Sequence, residues 1–330
     1  MIRWGILGAG NIARKLAADI ALVDDAELVA VGSRSKEKAL AFAKEYPLAY
    51  VHDSYEALAA NQNVDIIYVA TPHSHHYENT LLCLEHNKAV LCEKAFAVNH
   101  RQALQMVNEA REKKLFLMEA LWTKFLPHYL KMKSIVESGD LGSISSVLIN
   151  FGFRPRTPVP GRLFDPALAG GTILDIGVYN VFMAMSVLGK PDEIEAHMTP
   201  AQSGIDEQCA VLFKYKNGSM AQLFSSFVAD LPTEADINGS KGRLRLNHRF
   251  YAPESTLEFY PDKMDSKQHV SFNNTLTGWG YHHEIKHVCE CLGYGLTESP
   301  VMTLDNTLEL MKVLDEIRGK AGIRYDADNY

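Results

Sequence analysis

The amino-acid sequence predicts an α/β protein with two domains. A doubly wound parallel sheet forms the first, and an α+β domain with a large, mostly antiparallel sheet forms the second. Three observations support this. A chain of 330 residues exceeds what one hydrophobic core normally holds. Apolar runs and helical patterns alternate over about the first 120 residues, and strand-like runs separated by turn signals dominate afterwards. The pattern changes near Trp122, so we predict domains at 1–122 and 123–330, with the closing helices able to pack back on the first domain.

Short apolar runs mark the strands of the first domain: Ile2–Leu7, Glu27–Gly32, Asp65–Ala70, Ala89–Cys92 and Leu115–Ala120, with a further short strand at Tyr50–Val51. Segments with helical spacing lie between them: Asn11–Val23, Lys36–Glu45, His75–His86 and Asn99–Lys113. Strand–helix alternation of this kind is typical of a parallel sheet with helices on both faces.

The second domain opens with a predicted helix at Pro127–Ser138 and a strand at Ile144–Phe153, and a buried helix follows at Asp175–Leu188. Runs with turn signals between them predict the remaining strands: Glu193–Met198, Gln208–Tyr215, Ser219–Val228, Glu234–Asn238, Gly242–Asn247 and Thr256–Tyr260. Two helices, Tyr281–Cys291 and Leu304–Lys320, close the chain. This succession favours an antiparallel or mixed sheet.

Composition excludes several classes of protein. The net charge of −7 gives no basic stripe for nucleic acid. The longest apolar stretch, around Phe182–Leu188, is far shorter than the roughly 20 residues that span a membrane. Ile2–Leu7 is already a predicted strand, so we expect no signal peptide. The five cysteines are sparse and odd in number, which favours buried thiols in a reducing compartment, and we expect a cytoplasmic protein.

A glycine-rich turn follows the first strand directly and opens the first helix. Gly8, Gly10 and Ala13 fit the pattern G-x-G-x-x-G/A. The first glycine permits a tight turn, the second lets a pyrophosphate approach the backbone, and the alanine allows close helix–strand packing. Backbone N–H groups at Asn11 and Ile12 open the helix and would face the phosphates. The motif predicts a Rossmann domain that binds a dinucleotide.

The end of the second strand indicates which dinucleotide. NAD sites favour an acidic residue there, to accept a hydrogen bond from the ribose 2′-hydroxyl. This chain has Ser33 and Arg34 instead, with Lys38 close behind. A serine hydroxyl and a guanidinium suit a 2′-phosphate, so we expect NADP(H). A solvated basic loop is the alternative.

Two further segments carry groups suited to chemistry. Glu93 and Lys94 stand at the end of the fifth strand, on the edge of the sheet where doubly wound folds bind ligands. Asp175 and Tyr179 are four residues apart at the start of a predicted helix, so they would share one face.

Several motifs together resemble one family. They are Arg3-Trp4-Gly5-Ile6, Val90-Leu91-Cys92-Glu93-Lys94, the run from Phe116 to Phe125, the run from Gly170 to Tyr179, and Lys286-His287-Val288-Cys289-Glu290-Cys291-Leu292. The chain resembles the glucose–fructose oxidoreductase/inositol dehydrogenase (Gfo/Idh/MocA) family over its whole length. Within that family it is most similar to the dimeric, NADP-dependent dihydrodiol dehydrogenases.

The resemblance implies roles for particular residues. Lys94 and Tyr179 would carry the chemistry and Asp175 would orient them. The cofactor side would include Thr71, Pro72, His76, Glu93 and Lys94, and the substrate side would include Trp122, Phe151 and Trp279. The family has a proline, often with a cis bond, where this chain has Ala95.

The implied reaction transfers a hydride between a carbinol carbon of a sugar or trans-dihydrodiol and C4 of the nicotinamide. Tyr179 would exchange the hydroxyl proton. Because a free tyrosine has a pKa near 10, the Lys94 ammonium would have to lower it. Structural alternatives exist for each residue: a core aromatic for Tyr179, a phosphate-facing charge for Lys94, and a helix N-cap for Asp175.

Other functions compete with this one. His283-Glu284-Ile285-Lys286-His287 matches the zinc-protease pattern H-E-x-x-H, and His73, His75 and His76 form a second histidine group, but we expect no metal at either. A non-catalytic NADP sensor is a third class, which turnover of any substrate would exclude. We also expect a homodimer built through the second-domain sheet. We expect Val211, Phe213, Leu223, Phe224 and Phe227 to supply apolar area for both faces of that sheet.

Overall fold

The computed structural model describes residues 1–156, 161–261, 268–270 and 277–329, with 268–270 described in the backbone only. The chain divides into two compact units. The first contains Met1–Trp122 and Leu276–Leu308, and the second contains Thr123–Thr275 and Glu309–Tyr330. Residues 276–308 therefore group with the N-terminal part of the chain.

The first unit is built on a parallel sheet of six strands in the order β3-β2-β1-β4-β5-β6. The strands are β1 (Ile2–Leu7), β2 (Ala26–Gly32), β3 (Tyr50–His52), β4 (Ile66–Val69), β5 (Ala89–Glu93) and β6 (Leu117–Ala120). The helices are α1 (Asn11–Ile20), α2 (Lys36–Glu45), α3 (Tyr55–Ala59), α4 (His76–Glu85), α5 (His100–Lys113) and α8 (His282–Gly293). The order reverses between β1 and β4, where doubly wound sheets form their ligand crevice.

Local capping explains where several of these helices begin. The side chains of Ser35, Ser54 and Asn99 each accept a hydrogen bond from a backbone N–H in the first turn of α2, α3 and α5. The strands β4, β5 and β6 are buried at every position, as expected of a parallel sheet covered on both faces.

The second unit is built on a mixed sheet of eight strands in the order β14-β13-β12-β11-β7-β10-β9-β8. The strands are β7 (Ile144–Gly152), β8 (Glu193–Pro200), β9 (Asp206–Lys214), β10 (Met220–Ser226), β11 (Glu234–Gly239), β12 (Gly242–Asn247), β13 (Thr256–Pro261) and β14 (Gln268–Val270). Among the described strands of this sheet, β7 and β10 are the one pair that runs in parallel. The helices are α6 (Pro127–Ser138) and α7 (Val178–Leu188), and α9 (Leu304–Ala321) runs from the first unit into the second.

The predicted fold class is confirmed, with three local differences. The start of the predicted helix 175–188 is a π-helical segment, Ile173–Gly177, before α7 begins. The mostly apolar residues of this segment can be buried in an α-helix or in a π-helix, so the sequence does not distinguish the two. A 3₁₀ turn at His73–His75 precedes α4. Strand β14 was not predicted, because three residues are too few for a periodic signal.

The two faces of the second sheet differ in exposure. On the face toward α7, the side chains of β7, β9 and β10 are buried. The residues predicted to supply apolar area for both faces do so: Val211, Phe213 and Leu223 belong to the face toward α7, since strand parity puts them on one side of the sheet. Phe224 lies on the opposite face, together with the exposed Leu148 and Met220.

One stretch, Pro166–Leu188, has the length and mean hydropathy, 1.5, of a membrane span. Its 18-residue window is 78% buried inside the structure, which is also the property of a core helix. All five cysteines are free and buried.

Candidate active site

The glycine-rich turn has the geometry that the sequence motif requires. Gly8 has φ +107°, and a Cβ there would lie 2.9 Å from the carbonyl oxygen of Ala70, so only glycine fits. Gly10 is the N-cap of α1, and a Cβ on it would meet no atom within 4 Å. Ala13 is fully buried.

The start of α1 suits a phosphate. No side chain caps this helix, and its first turn holds no acidic residue. Asn11 is exposed and Ile12 half-buried, so their N–H groups lie at the surface of the unit. Uncapped N–H groups and the positive end of the helix dipole attract anions. The open space beside Gly10 leaves room for a pyrophosphate.

The loop after β2 carries the basic residues that were predicted to select the nucleotide. Ser33 is buried; its N–H donates to His52 O (3.2 Å) and its Oγ accepts from Ser35 N (3.2 Å). The Arg34 guanidinium is exposed and lies 5.8 Å from the centre of the Tyr55 ring. Lys38 is exposed on α2. The Glu37 carboxylate also lies here and accepts a hydrogen bond from the Ser35 hydroxyl at 2.8 Å.

His76 links the ends of two strands rather than facing solvent. It is fully buried, with Nδ1 2.8 Å from Ala95 O and Nε2 2.8 Å from Thr71 O. Thr71 Oγ1 accepts a further hydrogen bond from Asn79 at 3.1 Å. Pro72 is half-buried beside them. The histidine therefore braces the two loops predicted to face the nicotinamide.

The Glu93–Lys94 pair sits at the end of β5. Glu93 is buried and accepts hydrogen bonds from the Tyr68 hydroxyl and from the Lys94 N–H (3.2 Å). Burial and the Glu93 carboxylate raise the pKa of Tyr68 well above its ordinary value, so Tyr68 stays a donor. The Lys94–Ala95 peptide bond is cis, and the Lys94 side chain is half-buried.

Two tryptophans predicted for the substrate side differ in their surroundings. Trp122 is buried and stacks face to face on Tyr281, with ring centres 4.5 Å apart. Trp279 is half exposed; Lys15 Nζ lies 4.6 Å from its ring centre, and its backbone N–H donates to Asp19 at 2.8 Å.

In the second unit, Asp175 lies in the π-helical segment and is buried. Its Oδ1 accepts a 2.7 Å hydrogen bond from Arg162, whose side chain is 43% exposed. Asp175 does not cap the segment, which begins at Thr172 without a side-chain cap. Arg162 was not predicted, because nothing in its loop distinguishes it from the neighbouring arginines.

Tyr179 is the second residue of α7 and belongs to an aromatic panel formed with Phe151 and Tyr251. Tyr179 and Phe151 are both buried, with ring centres 6.1 Å apart. Tyr251 stacks on Phe151 at 4.4 Å and lies 4.9 Å from Tyr179. The Tyr251 hydroxyl accepts from Arg249 at 3.1 Å. Tyr251 and Arg249 were not predicted; the only signal was an aromatic pair with an arginine just after a strand.

The H-E-x-x-H segment lies on α8 in a setting unlike a zinc site. Glu284 is fully buried, and burial, then Glu93 and Asp19, raise its pKa well above the ordinary value. A shift in this direction disfavours the carboxylate form that a general base needs. His287 Nε2 lies 2.7 Å from the Ser299 hydroxyl. Among the described residues, no group of three or more His, Cys, Asp or Glu side chains could hold a metal ion.

Two family models match the chain in order. Residues 2–121 match the model of the oxidoreductase family with an NAD-binding Rossmann fold, and residues 129–245 match the GFO/IDH/MocA C-terminal domain. The chain belongs to the Gfo/Idh/MocA oxidoreductase family. This confirms the resemblance identified from its motifs.

Relatives in this family match the whole chain. The trans-1,2-dihydrobenzene-1,2-diol dehydrogenase of Sus scrofa is 36% identical over 99% of both chains. The Homo sapiens enzyme of the same name is 34% identical, also over 99% of both. The chain is thus an oxidoreductase of the Gfo/Idh/MocA family with relatives among dihydrodiol dehydrogenases.

Solved structures share the architecture. A 3-ketoreductase from Actinomadura kijaniata, in complex with NADP and TDP-benzene, is 25% identical with a TM-score of 0.87 over 97% of this chain and 98% of that one. An aldose-aldose oxidoreductase from Caulobacter crescentus has a TM-score of 0.88 at 22% identity over 97% of both chains, which shows a common fold.

Proposed function

We propose that this protein is an NADP(H)-dependent dehydrogenase or reductase that interconverts a secondary alcohol and its carbonyl. The nucleotide assignment is supported by Ser33 and Arg34 after β2, where an NAD site favours a carboxylate. NADP in the 3-ketoreductase structure agrees with this assignment. Glu37, five residues after Gly32, is an acidic residue in this region, and an acidic residue is what an NAD site favours.

The proposed reaction removes a hydride and a proton from one carbinol. When bound, NADP⁺ supplies the nicotinamide C4 that accepts the hydride. Tyr179 accepts the hydroxyl proton in oxidation and returns it in reduction. Lys94 contributes a positive charge to the reaction, and Asp175, fixed by Arg162 at 2.7 Å, orients the hydroxyl. Glu93 and His76 position Lys94 by holding the residues on either side of it: Glu93 through Tyr68, and Ala95 O through His76.

The aromatic panel supports a ring-shaped substrate. Tyr179, Phe151 and Tyr251 present flat apolar surface beside two hydroxyls and the Arg249 guanidinium. Such a surface suits the apolar face of a sugar or the ring of a trans-dihydrodiol. We propose the same substrate role for Trp122 and Trp279. The dihydrodiol named for the curated relatives and the sugar substrates implied for the solved neighbours fall in these two classes.

The observation that carries the proposal is the buried Tyr179 phenol within this aromatic panel. Tyr179 follows Asp175 by four residues, just after the π-helical segment ends. The test is a dehydrogenase screen with NADP⁺ over aldoses, including xylose and glucose, trans-cyclohexanediol and benzene dihydrodiol, read as NADPH absorbance. Turnover that disappears in Tyr179→Phe supports the proposal. A folded protein that binds NADPH tightly and turns over none of these compounds would instead be a non-catalytic sensor.

We also propose that the protein is a cytoplasmic homodimer. The sheet face opposite α7 carries the exposed Leu148 and Met220, with Leu212 and Phe224 beside them. A charged margin flanks this strip, including the Asp236–Arg245 pair at 2.8 Å. An apolar strip with a charged rim is typical of an interface. Five free, buried thiols suit a reducing compartment.

A further inference from the structure

The backbone just before the π-helical segment is held by two residues from distant parts of the second unit. Asp206, the first residue of β9, binds Thr172 and Ile173. Tyr325, near the end of the chain, binds Gly170. All three bonds precede Asp175 by two to five residues along the chain. Asp206 and Tyr325 thus hold the backbone at residues 170–173, where the segment that carries Asp175 begins.

Asp206 acts on this entrance as an anionic cap supplied from another strand. It is fully buried, and its Oδ2 accepts from the Thr172 hydroxyl at 2.6 Å and from the Ile173 N–H at 2.7 Å. The segment offers no capping side chain of its own at Thr172. A carboxylate at the start of a helix satisfies free N–H groups and interacts favourably with the helix dipole.

Gly171 makes this approach possible. It has φ +116°, which side-chain-bearing residues rarely adopt, and a Cβ there would collide with Asp206 Oδ1. That oxygen has no hydrogen-bond partner among the residues that the structure describes. The carboxylate is therefore packed directly against the glycine backbone, and its position is closely determined.

Tyr325 completes the attachment from the C-terminal tail. Its hydroxyl donates to Gly170 O at 2.5 Å, and its ring is buried. Arg318, also buried, lies over this ring at 5.2 Å and pairs with Asp328 at 2.7 Å. The tail is thereby anchored, so Tyr325 presents a fixed donor to the loop.

We propose that Asp206 and Tyr325 are positioning residues that fix the direction of Asp175 and Tyr179 by clamping the backbone at 170–173. The catalytic part of this inference rests on the proposed function. The π segment and α7 follow one another without a break, from Ile173 to Leu188. A shift at residue 173 is therefore transmitted along the helical segment to both side chains, and a displacement of about 1 Å can cost a hundredfold in rate.

The charge of Asp206 gives the clamp a pH dependence. Burial raises the pKa of Asp206 to about 6, although its bonds from Thr172 and Ile173 favour the charged form. The titratable groups that face it are Tyr325 and Cys209, and burial raises the pKa of both, so they stay neutral at this pH. As the pH falls through about 6, Asp206 gains a proton and its hydrogen bonds lose the strength that the charge gives them.

The first test compares Asp206→Ala and Asp206→Asn with a matched control, Asp192→Asn, which removes a carboxylate of the same unit that also accepts a backbone N–H, that of Lys216 at 2.8 Å. Amide hydrogen exchange of the peptide covering 171–180 should speed up most in Asp206→Ala, less in Asp206→Asn, and not in the control. In the full-length protein, kcat should fall about tenfold to a hundredfold, while the NADPH dissociation constant stays unchanged.

The second test uses Tyr325→Phe, which removes only a hydroxyl and keeps the fold. Its matched control is Tyr215→Phe, since Tyr215 also donates to a glycine carbonyl, that of Gly189, at 3.1 Å. Exchange at 171–180 should rise in Tyr325→Phe alone. In the direction of carbonyl reduction, where Tyr179 gives up a proton, the wild-type rate should fall several-fold below about pH 6. Asp206→Asn should lack this acid limb.

The outcomes separate this inference from the proposed function. If both Asp206→Asn and Tyr325→Phe fold and keep wild-type exchange at 171–180, the clamp does not exist. If exchange rises while kcat and its pH profile stay at wild-type values, the clamp is structural only and the positioning role is overturned. If the wild type turns over no substrate, the proposed function fails, and the positioning role falls with it, while the exchange data still decide the clamp.

Discussion

Replacing Arg34 by alanine tests the assignment of the cofactor. The guanidinium is exposed and lies over the Tyr55 ring at 5.8 Å, directly after β2. In this position it can pair with a 2′-phosphate, which NADP carries and NAD lacks. Arg34→Ala should therefore weaken NADPH binding and leave NADH binding almost unchanged.

The expected size follows from the setting of the side chain. A hydrogen bond to a charged group contributes about 1.5–3 kcal/mol. Because Arg34 is exposed, solvent screens the pair, which places the effect in the lower half of that range. About 1.5–2 kcal/mol corresponds to a roughly 10- to 30-fold rise in the NADPH dissociation constant. Ser33 and the start of α1 remain to hold the rest of the nucleotide.

The assay is titration of the purified protein with NADPH and NADH, followed by nicotinamide fluorescence. Lys44→Ala is the matched control, since it removes an exposed positive charge from the last turn of α2, the helix that follows Arg34. Arg34→Lys, which keeps the charge without the planar group, should give an intermediate loss. Equal affinity of the wild type for both nucleotides, or equal weakening of both by Arg34→Ala, would refute the assignment.

Other predictions concern chemistry, metal and assembly. Tyr179→Phe should lower kcat by roughly 10²–10⁴-fold while the fold and NADPH binding survive; Lys94→Met should act similarly, and the double variant should cost far less than the product of the two. Near-native kcat in Tyr179→Phe would make it a packing residue. Chelator treatment should leave hydride transfer intact, whereas stoichiometric zinc that is lost together with activity in His283→Ala would favour a metalloprotease. Sedimentation should give a dimer at micromolar concentration and a monomer for Phe224→Glu; a monomeric wild type would contradict the proposed interface.

The sequence predicted most of the fold because its signals are local. The bounds of α2, α6 and β12 agree with the predicted segments, since each has a clear period and a capping or turn residue at its ends. The part of the π segment that the prediction covered, residues 175–177, was expected to be α-helical, because its sequence pattern does not distinguish an α-helix from a π-helix. The start of the segment is also held by Asp206, which is 33 residues away from Ile173 along the chain, so no local pattern contains this contact.

The candidate site was predictable to the extent that it is contiguous. Gly8 and Gly10 belong to one short motif, and the spacing of its residues predicts the tight turn and the start of the helix. Tyr251 and Arg162 reach the surroundings of Tyr179 and Asp175 only through tertiary structure, because they come from loops with no motif of their own. A single sequence contains no periodic or spacing signal for contacts of that kind.

The proposed reactive groups share one structural arrangement within their separate units. Lys94 stands between Glu93, which is bound by Tyr68, and Ala95, whose carbonyl oxygen faces His76. Tyr179 follows a segment whose start is bound by Asp206. In both cases the neighbouring backbone is buried and hydrogen-bonded. Holding a proton-transfer group to within a fraction of an ångström requires such support, because long side chains such as lysine are otherwise free to rotate. The surrounding bonds therefore determine where each reactive group lies as much as the identity of the reactive residue does.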